Sequence, residues 1–528
     1  MTPLRYELIV IGAGPAGLSA AIEAAKHGIQ PIVFDENAKP GGQLFKQIHK
    51  FFGSKEHKAK IRGFRIGEEL LKEAETYGVE VVLNATVIGL YNEKEVTVKI
   101  GDEVRHYRGD SVLVATGASE NMVNFKGWTL PGVIGAGAAQ TMMNLHRIQP
   151  GKRVLMLGSG NVGLVVSFQL LQSGCEVVAL ADAAPRVGGY GVHAAKVARC
   201  GVPFYLSHTI VEAEGTDHVT GVVIGQVGPD WKVIPGTEKH FDADTICLAV
   251  GLSPLSQLLQ QAGCEMQLAN GAYVPVCSET GETSIPGLYA AGDVTGIEEA
   301  SSAMIKGRIS GNHISCTAGF CDEDAAAKRD AELRLSLQTL RQGMFAPQNR
   351  RKQLTATEEG IALSSSLLKH GFIGEEEIER FPGMTHKSGI HPVIECTQNI
   401  PCNPCQDACH FGCIRIGEKI TSLPAVDSSK KCMDCGQCVA SCPGQAIFLV
   451  NEDVGGGMAE VTLPYEFLPA PAVGDKGTAL GRDGAACCPA EVVRVRTAPL
   501  FDSTTLLTIR VPADMAMTAR FFKKEDAE

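Results

Sequence analysis

A chain of 528 residues with 44% hydrophobic and 20% charged side chains has the make-up of a globular protein, long enough for roughly three to four domains. Its formal net charge of -11 works against a nucleic-acid partner, because neutralising a polyphosphate takes clustered Lys and Arg. No apolar run approaches the roughly 20 residues that span a bilayer, and nothing at the amino terminus resembles a secretory signal, so no membrane span and a cytoplasmic, reducing location are expected.

Residues 6–11 form an apolar strand that runs into Gly12-x-Gly14-x-x-Gly17, and an Ala-rich helix follows over 18–26. In that context the first glycine permits a tight turn, the second lets the backbone approach a pyrophosphate, and the third lets helix pack on strand. Pro15 and Ala16 sit within the turn, and the helix start offers unsatisfied N–H groups and a positive dipole end to phosphate. A second strand over 31–34 ends at Asp35, whose carboxylate is expected to accept hydrogen bonds from an adenosine ribose, with Glu36 as the fallback. Gly41, Gly42 and Gln43 follow, either a glycine pair that lets backbone pass close to a cofactor or a plain loop turn. The basic stretch Lys46, His49, Lys50, Lys55, His57, Lys58, Lys60 and Arg62 reads as a solvated loop or as an approach for an acidic substrate or partner.

The glycine device recurs. A strand over 154–157 leads into Gly158-x-Gly160-Asn161-Val162-Gly163, a helical stretch runs to Gly174, and a strand over 176–180 closes at Asp182. Two dinucleotide sites are thus implied, unless the second unit keeps its glycines for packing alone. Asp182 would repel a 2′-phosphate and favours NAD over NADP, although Arg186 pulls the other way.

Three further segments complete a pattern: residues 111–117, ending Ala115-Thr116-Gly117; residues 245–251, ending at Gly251; and residues 287–293, ending Gly292-Asp293. With them the chain resembles the two-dinucleotide-binding flavoprotein superfamily that includes thioredoxin reductase and glutathione reductase, over roughly residues 1–320. The resemblance implies FAD at the first turn and NAD(H) at the second, with Asp293 contacting the FAD ribityl and pyrophosphate. It also implies a helix beginning near 298–303 whose positive end faces the flavin and stabilises negative charge there. A redox Cys-x-x-Cys beside the flavin is absent from this stretch, which argues against a disulfide substrate. The segment around Trp128-Thr129-Leu130-Pro131-Gly132-Val133 is similar to the larger subunits of proline, sarcosine and opine dehydrogenase complexes and of hydrogen cyanide synthase. That likeness implies a second flavoprotein subunit that oxidises an amine or amino acid.

Residues 322–352 are charged and helix-forming, a Ser-rich patch follows at 364–366, and both read as a helical connector. Nine of the 18 cysteines then fall between Cys396 and Cys442. The arm Cys432-x-x-Cys435-x-x-Cys438-x-x-x-Cys442-Pro443 has the spacing of two-cluster ferredoxins, in which the fourth cysteine serves the neighbouring cluster. A shift of 33 residues superposes Cys402, Cys405 and Cys409 on Cys435, Cys438 and Cys442, which makes the region an internal repeat. The first arm departs from the pattern: five residues separate Cys396 from Cys402, and His410 stands where the other arm has proline. The ferredoxin resemblance implies one [4Fe-4S] cluster on Cys396, Cys402, Cys405 and Cys442, and a second on Cys432, Cys435, Cys438 and Cys409. Cys413 aligns with Ala446 and is left out. Structural zinc accepts thiolates at such spacings too, but interleaved arms and a terminal Cys-Pro favour iron. The remaining cysteines, including the adjacent Cys487 and Cys488, read as small buried hydrophobes. After Val450, short alternating strands separated by Gly, Pro and Asp suggest a small β-barrel.

The expected architecture is α/β, with an NAD domain (119–244) inserted in an FAD domain (1–118 and 245–320). A connector (321–390), a two-cluster ferredoxin-like domain (391–452) and a small β domain (453–528) follow. FAD accepts a hydride and passes electrons singly to clusters, so an oxidoreductase is expected, as a subunit of an amine or amino-acid dehydrogenase complex. A self-contained NADH-dependent reductase serving ferredoxin or another soluble acceptor, and a non-catalytic scaffold, are the alternatives. Hydride transfer from NADH needs no side-chain acid or base, so no catalytic residue is nominated.

Overall fold

The computed structural model describes residues 3–91, 93–343, 346–347 and 364–525. The part of the expected connector over 348–363 lies outside the described residues. The chain divides into two compact units, one of residues 1–49, 56–121 and 251–341, the other of residues 50–55, 122–250 and 342–528.

In the first unit, the strand Leu4–Ile11 is buried over residues 8–11 and lies parallel to Pro31–Phe34 on one side and Glu103–Val114 on the other. Such continuous apolar runs suit a parallel sheet covered on both faces. Glu80–Val82 extends the sheet beyond Pro31–Phe34, and Leu288–Ala290 adds a parallel strand to Glu103–Val114. Two antiparallel strands, Glu95–Ile100 and Ala85–Leu90, complete the seven. Helix Pro15–Lys26 opens on proline, whose missing N–H costs nothing at that position. It packs on helix Ala300–Thr317 at backbone contact, because a Cβ on Gly307 or Gly311 would strike the carbonyl oxygens of Ala16 and Ala20.

In the second unit, five parallel strands run in the order Phe204–Leu206, Glu176–Asp182, Arg153–Leu157, Thr245–Leu248, Val133–Gly135. Thr245–Leu248 pairs with both of its neighbours there, so this strand belongs to this sheet, and residues 245–250 to this unit and not, as the sequence pattern suggests, to the first. A seven-stranded antiparallel sheet begins at His391–Ile394, takes in Ile447–Gly455 and ends at Phe521–Lys524. The strands expected after Val450 are therefore part of one sheet with strands that flank the cysteine arms. Ile447–Gly455 crosses the expected boundary at 452: it pairs with Met458–Tyr465 through Asn451 and again at Gly455, with an irregularity in register between the two. Among the described residues no helix is long and apolar enough to cross a membrane.

Candidate redox-cofactor sites

The two glycine turns are built alike. A Cβ on Gly12 would collide with the Ala115 carbonyl, and one on Gly158 with the Ala249 carbonyl. One on Gly17 would collide with the Gly12 oxygen, and one on Gly163 with the Gly158 oxygen. Gly14 and Gly160 have nothing within 4 Å of such an atom, which leaves open backbone at both helix starts, as a pyrophosphate requires. Asp35 and Asp182 are equivalent as well. Asp35 accepts from Ala13 N at 2.7 Å and from Asn37 N and Nδ2 at 2.8 Å. Asp182 accepts from Ser159 N and Oγ at 2.6 Å and from Ala184 N at 2.8 Å. A carboxylate accepts about four hydrogen bonds, so each fixes its own turn and has room for about one more donor. Glu36 is exposed.

Around the first turn, Gly41 N donates to Ala13 O at 2.6 Å, and a Cβ on Gly42 would sit 3.0 Å from Gly14 Cα. Gln43 is exposed on the short helix Gly42–Lys46. Thr116 Oγ1 donates to Leu255 O at 2.7 Å, and Asn121 N donates to Gly251 O at 3.0 Å. A Cβ on Gly292 would lie 2.8 Å from the Ala16 methyl, which brings the 287–293 segment against the same turn. Asp293 Oδ1 accepts from Glu298 N at 3.1 Å just before helix Ala300–Thr317. Burial opposes ionisation of Glu298, but hydrogen bonds and charge from Arg341 and Lys306 hold its carboxyl below the usual range.

The cysteine arms form two groups. Cys396, Cys402, Cys405 and Cys442 line one apolar cavity together with Ile400 and Gln398. Burial and neighbouring thiols push Cys396, Cys402 and Cys405 up, Cys405 to about 12 with Cys442 the largest contributor after burial, and burial raises Cys442. In the second group Cys438 is pushed well up by burial, then by Cys432, Cys409 and Cys435. Packing four such thiols together is unfavourable for the bare thiolates and suits a site whose iron supplies the compensating charge. Among the described residues no three Cys, His, Asp or Glu side chains close to the spacing of a single metal ion; a cubane spreads its ligands more widely. The 33-residue repeat extends to the hydrogen bonds: Cys413 N donates to Cys409 Sγ at 3.2 Å and Ala446 N to Cys442 Sγ at 3.4 Å. N–H groups aimed at ligand sulfurs are a normal means of setting cluster potentials.

Sequence reasoning missed the buried charges of the second unit. Lys50 is 5% exposed and donates to Ala440 O, Phe501 O and Thr504 Oγ1, so for this residue a solvated loop is incorrect. In the first unit His57 and Arg62 from the same stretch are also buried, His57 against Ser336 and Arg62 against Ile48 O. Glu395, next to Cys396, is bound by Arg482 and Arg520 at 2.9 and 2.6 Å. Burial would raise its pKa, but the two guanidiniums hold it down at about 2. Cys200 and Cys488 are pushed up to about 12 by burial, in keeping with thiols that do no chemistry.

The model of the pyridine nucleotide-disulphide oxidoreductase family matches residues 6–307, and that of the 4Fe-4S binding domain matches residues 425–448. An opine oxidase subunit of Agrobacterium tumefaciens is 31% identical over 58% of this chain and 64% of its own length. Hydrogen cyanide synthase subunit HcnB of Pseudomonas protegens is 27% identical over 61% of this chain and 72% of its own length. The chain spans just under two thirds of the opine oxidase subunits of Agrobacterium tumefaciens and Rhizobium meliloti. Among solved structures, L-proline dehydrogenase from P.horikoshii aligns with a TM-score of 0.50 at 20% identity, over 63% of this chain and 60% of that one. Thioredoxin reductase of T. acidophilum aligns with a TM-score of 0.50 at 22% identity, over 60% of this chain and 99% of that one, and both likenesses concern the fold. With more than half of its length matched and a ferredoxin motif beyond, the chain belongs to the pyridine nucleotide-disulphide oxidoreductase family, as an FAD-dependent oxidoreductase that carries an iron–sulfur motif.

Proposed function

We propose that this chain is the electron-transfer subunit of an amine or amino-acid dehydrogenase complex, with FAD at the first glycine turn and two [4Fe-4S] clusters on the cysteine arms. The reading moves the second boundary of the FAD domain from 245 to Gly251, so that the domain takes in residues 1–121 and 251–320 and the nucleotide domain 122–250, and it extends the cluster-bearing module from 391 through strand Ile447–Gly455. The observation that carries it is the pairing, in one chain, of a flavoprotein family fold with two groups of four converging thiols. FAD would supply the conversion between hydride and single electrons. Gly12, Gly14 and Gly17 would seat its pyrophosphate on the start of helix Pro15–Lys26, with Asp35 at the ribose and Asp293 near the ribityl chain. Cys396, Cys402, Cys405 and Cys442 would hold one cluster, and Cys409, Cys432, Cys435 and Cys438 the other. The names of the relatives, subunits of opine oxidase and hydrogen cyanide synthase, support a partner subunit. Anaerobic purification tests this reading. A flavoprotein should co-purify, and its amine substrate should bleach the FAD and then the clusters; a chain isolated alone that no amine–partner pair reduces would contradict it.

A second reading, in which NADH is the donor and a ferredoxin-type protein the acceptor, is favoured by the open backbone at Gly160 and by Asp182. Anaerobic NADH should then bleach the flavin of the isolated chain, with NADPH much less effective.

A further inference from the structure

In the second unit a short series of contacts joins the second glycine turn to the first cysteine group. Gly188 N donates to Ser159 Oγ at 3.0 Å, Gly189 N to Ser159 O at 2.9 Å, and Tyr190 N to Asn161 Oδ1 at 2.7 Å. The loop 188–190 therefore rests on the residues that flank Gly160, and a Cβ on Gly188 would come 3.7 Å from Gly160 N. The next residue, Gly191, begins helix Gly191–Ala198 and donates its N–H to Gln398 Oε1 at 2.6 Å. Gln398 is 2% exposed and lines the cavity shared by Cys396, Cys402, Cys405 and Cys442. Because Gly191 requires the amide oxygen, the Nε2 end is fixed by elimination, and that nitrogen is buried without a hydrogen-bond partner. Leaving a buried amide donor unmade is unfavourable, so its retention calls for an acceptor.

We propose that Gln398 donates its Nε2–H to the sulfur of the cluster held in this cavity, and that through Gly191 it couples that cluster to nucleotide at the second turn. The inference rests on the cluster and nucleotide sites proposed above. A donor aimed at cluster sulfur favours the reduced, more negative state. A pyrophosphate on Gly160–Asn161 abuts Gly188, and any shift of the loop moves Gly191 and with it the amide. Coupling of this kind is reciprocal: whatever nucleotide does to reduction, reduction does to nucleotide affinity.

The test uses the full chain with its cofactors and ADP-ribose, a redox-inert probe carrying the adenosine diphosphate part of NAD. Gln398→Met should lower the midpoint of one cluster and spare the other, by about tenfold in the one-electron equilibrium, ~59 mV, read by EPR-monitored titration. Gln398→Glu keeps the acceptor for Gly191 and removes the donor, and should shift the same cluster further in the same direction. In the unaltered protein, ADP-ribose affinity should change several-fold on stepwise dithionite reduction, following the cluster EPR signal and not the flavin absorbance. Unchanged midpoints in both variants, or an affinity indifferent to cluster reduction, would overturn the proposal. Should a variant fail to assemble its cluster, the affinity measurement on the unaltered protein decides. Failure of ADP-ribose to bind at all would instead remove the second nucleotide site, and the coupling with it, while the flavin and cluster reading stands.

Discussion

The two glycine turns have the same backbone and different company. Both close against a neighbouring carbonyl, both leave the middle glycine open, and both are braced by an aspartate that holds its own turn. The first is followed by Gly41 and Gly42, and Gln43 beyond them is exposed. The second is followed at the same interval from its aspartate by Gly188 and Gly189, but the chain then enters a buried helix whose first N–H meets Gln398 of the cysteine module. That helix carries Lys196 and leads into Arg199, both buried; Arg199 donates to Gln445 O at 2.9 Å, three residues past Cys442. One backbone device thus ends in an exposed loop in one place and, in another, leads into a buried helix that meets the cysteine module. The difference lies in what the loop after the aspartate touches.

Substitutions at the third glycines separate the two turns most sharply. Gly17→Ala places a methyl inside the Gly12 carbonyl, and flavin per polypeptide, read by absorbance, should fall to background. Gly163→Ala makes the same collision with Gly158, yet the flavin should remain and ADP-ribose binding should vanish. Equal loss of flavin in both variants would erase the distinction between the turns.

Next in size is the ligand exchange implied by the interleaved arms. Cys442→Ser should remove the cluster on Cys396, Cys402 and Cys405 and leave the protein with half its iron. Iron analysis would instead show complete loss if all the thiols formed a single site.

The framework beside the first cysteine group includes a buried charge at Glu395, next to Cys396. Glu395→Gln leaves Arg482 and Arg520 buried without their counter-charge, which should cost about 3–5 kcal/mol in chemical denaturation. An exposed ion pair such as Arg5–Asp110 should give under about 1 kcal/mol when broken in the same assay.

At the middle glycines the effects are smaller. Gly160→Ala has room for its methyl and should fold normally, but it should weaken ADP-ribose by about tenfold, 1.4 kcal/mol, by crowding the phosphate.

The least effect is a pH response. Burial opposes ionisation of Glu377, but hydrogen bonds from Ser364, Ser365 and Ser366 hold it at about 2 in the folded state. A depressed carboxyl pKa gives stability that is present above the unfolded value near 4.3 and is lost as pH falls toward 2. Glu377→Gln should flatten that part of the stability profile by lowering stability at neutral pH toward the acid value, with little change near pH 2.

Much of this is legible in the sequence because the chemistry dictates residue types at fixed spacing. A pyrophosphate turn needs glycine where a Cβ would strike a carbonyl, so Gly12, Gly17, Gly158 and Gly163 stand out in any reading. The cysteine arms are legible for the same reason, and the repeat that superposes Cys442 on Cys409 holds down to the backbone N–H on each sulfur. Lys50 is illegible as a buried residue because its acceptors lie 390 or more positions away. Gln398 looks like any polar residue between cysteines; only the fold reveals that Gly191, 207 positions earlier, fixes its amide. The Ser-rich patch at 364–366 reads as a linker, but its hydroxyls converge on one carboxylate from a later helix.

The proposed function stands or falls with one polypeptide holding a flavin and two iron–sulfur clusters. Quantifying iron, acid-labile sulfide, zinc and FAD in a single oxygen-free preparation tests it most directly. About eight iron and eight sulfide per FAD are expected, with zinc at trace level. A preparation with stoichiometric zinc and no sulfide, or with bound flavin and no iron, would contradict it.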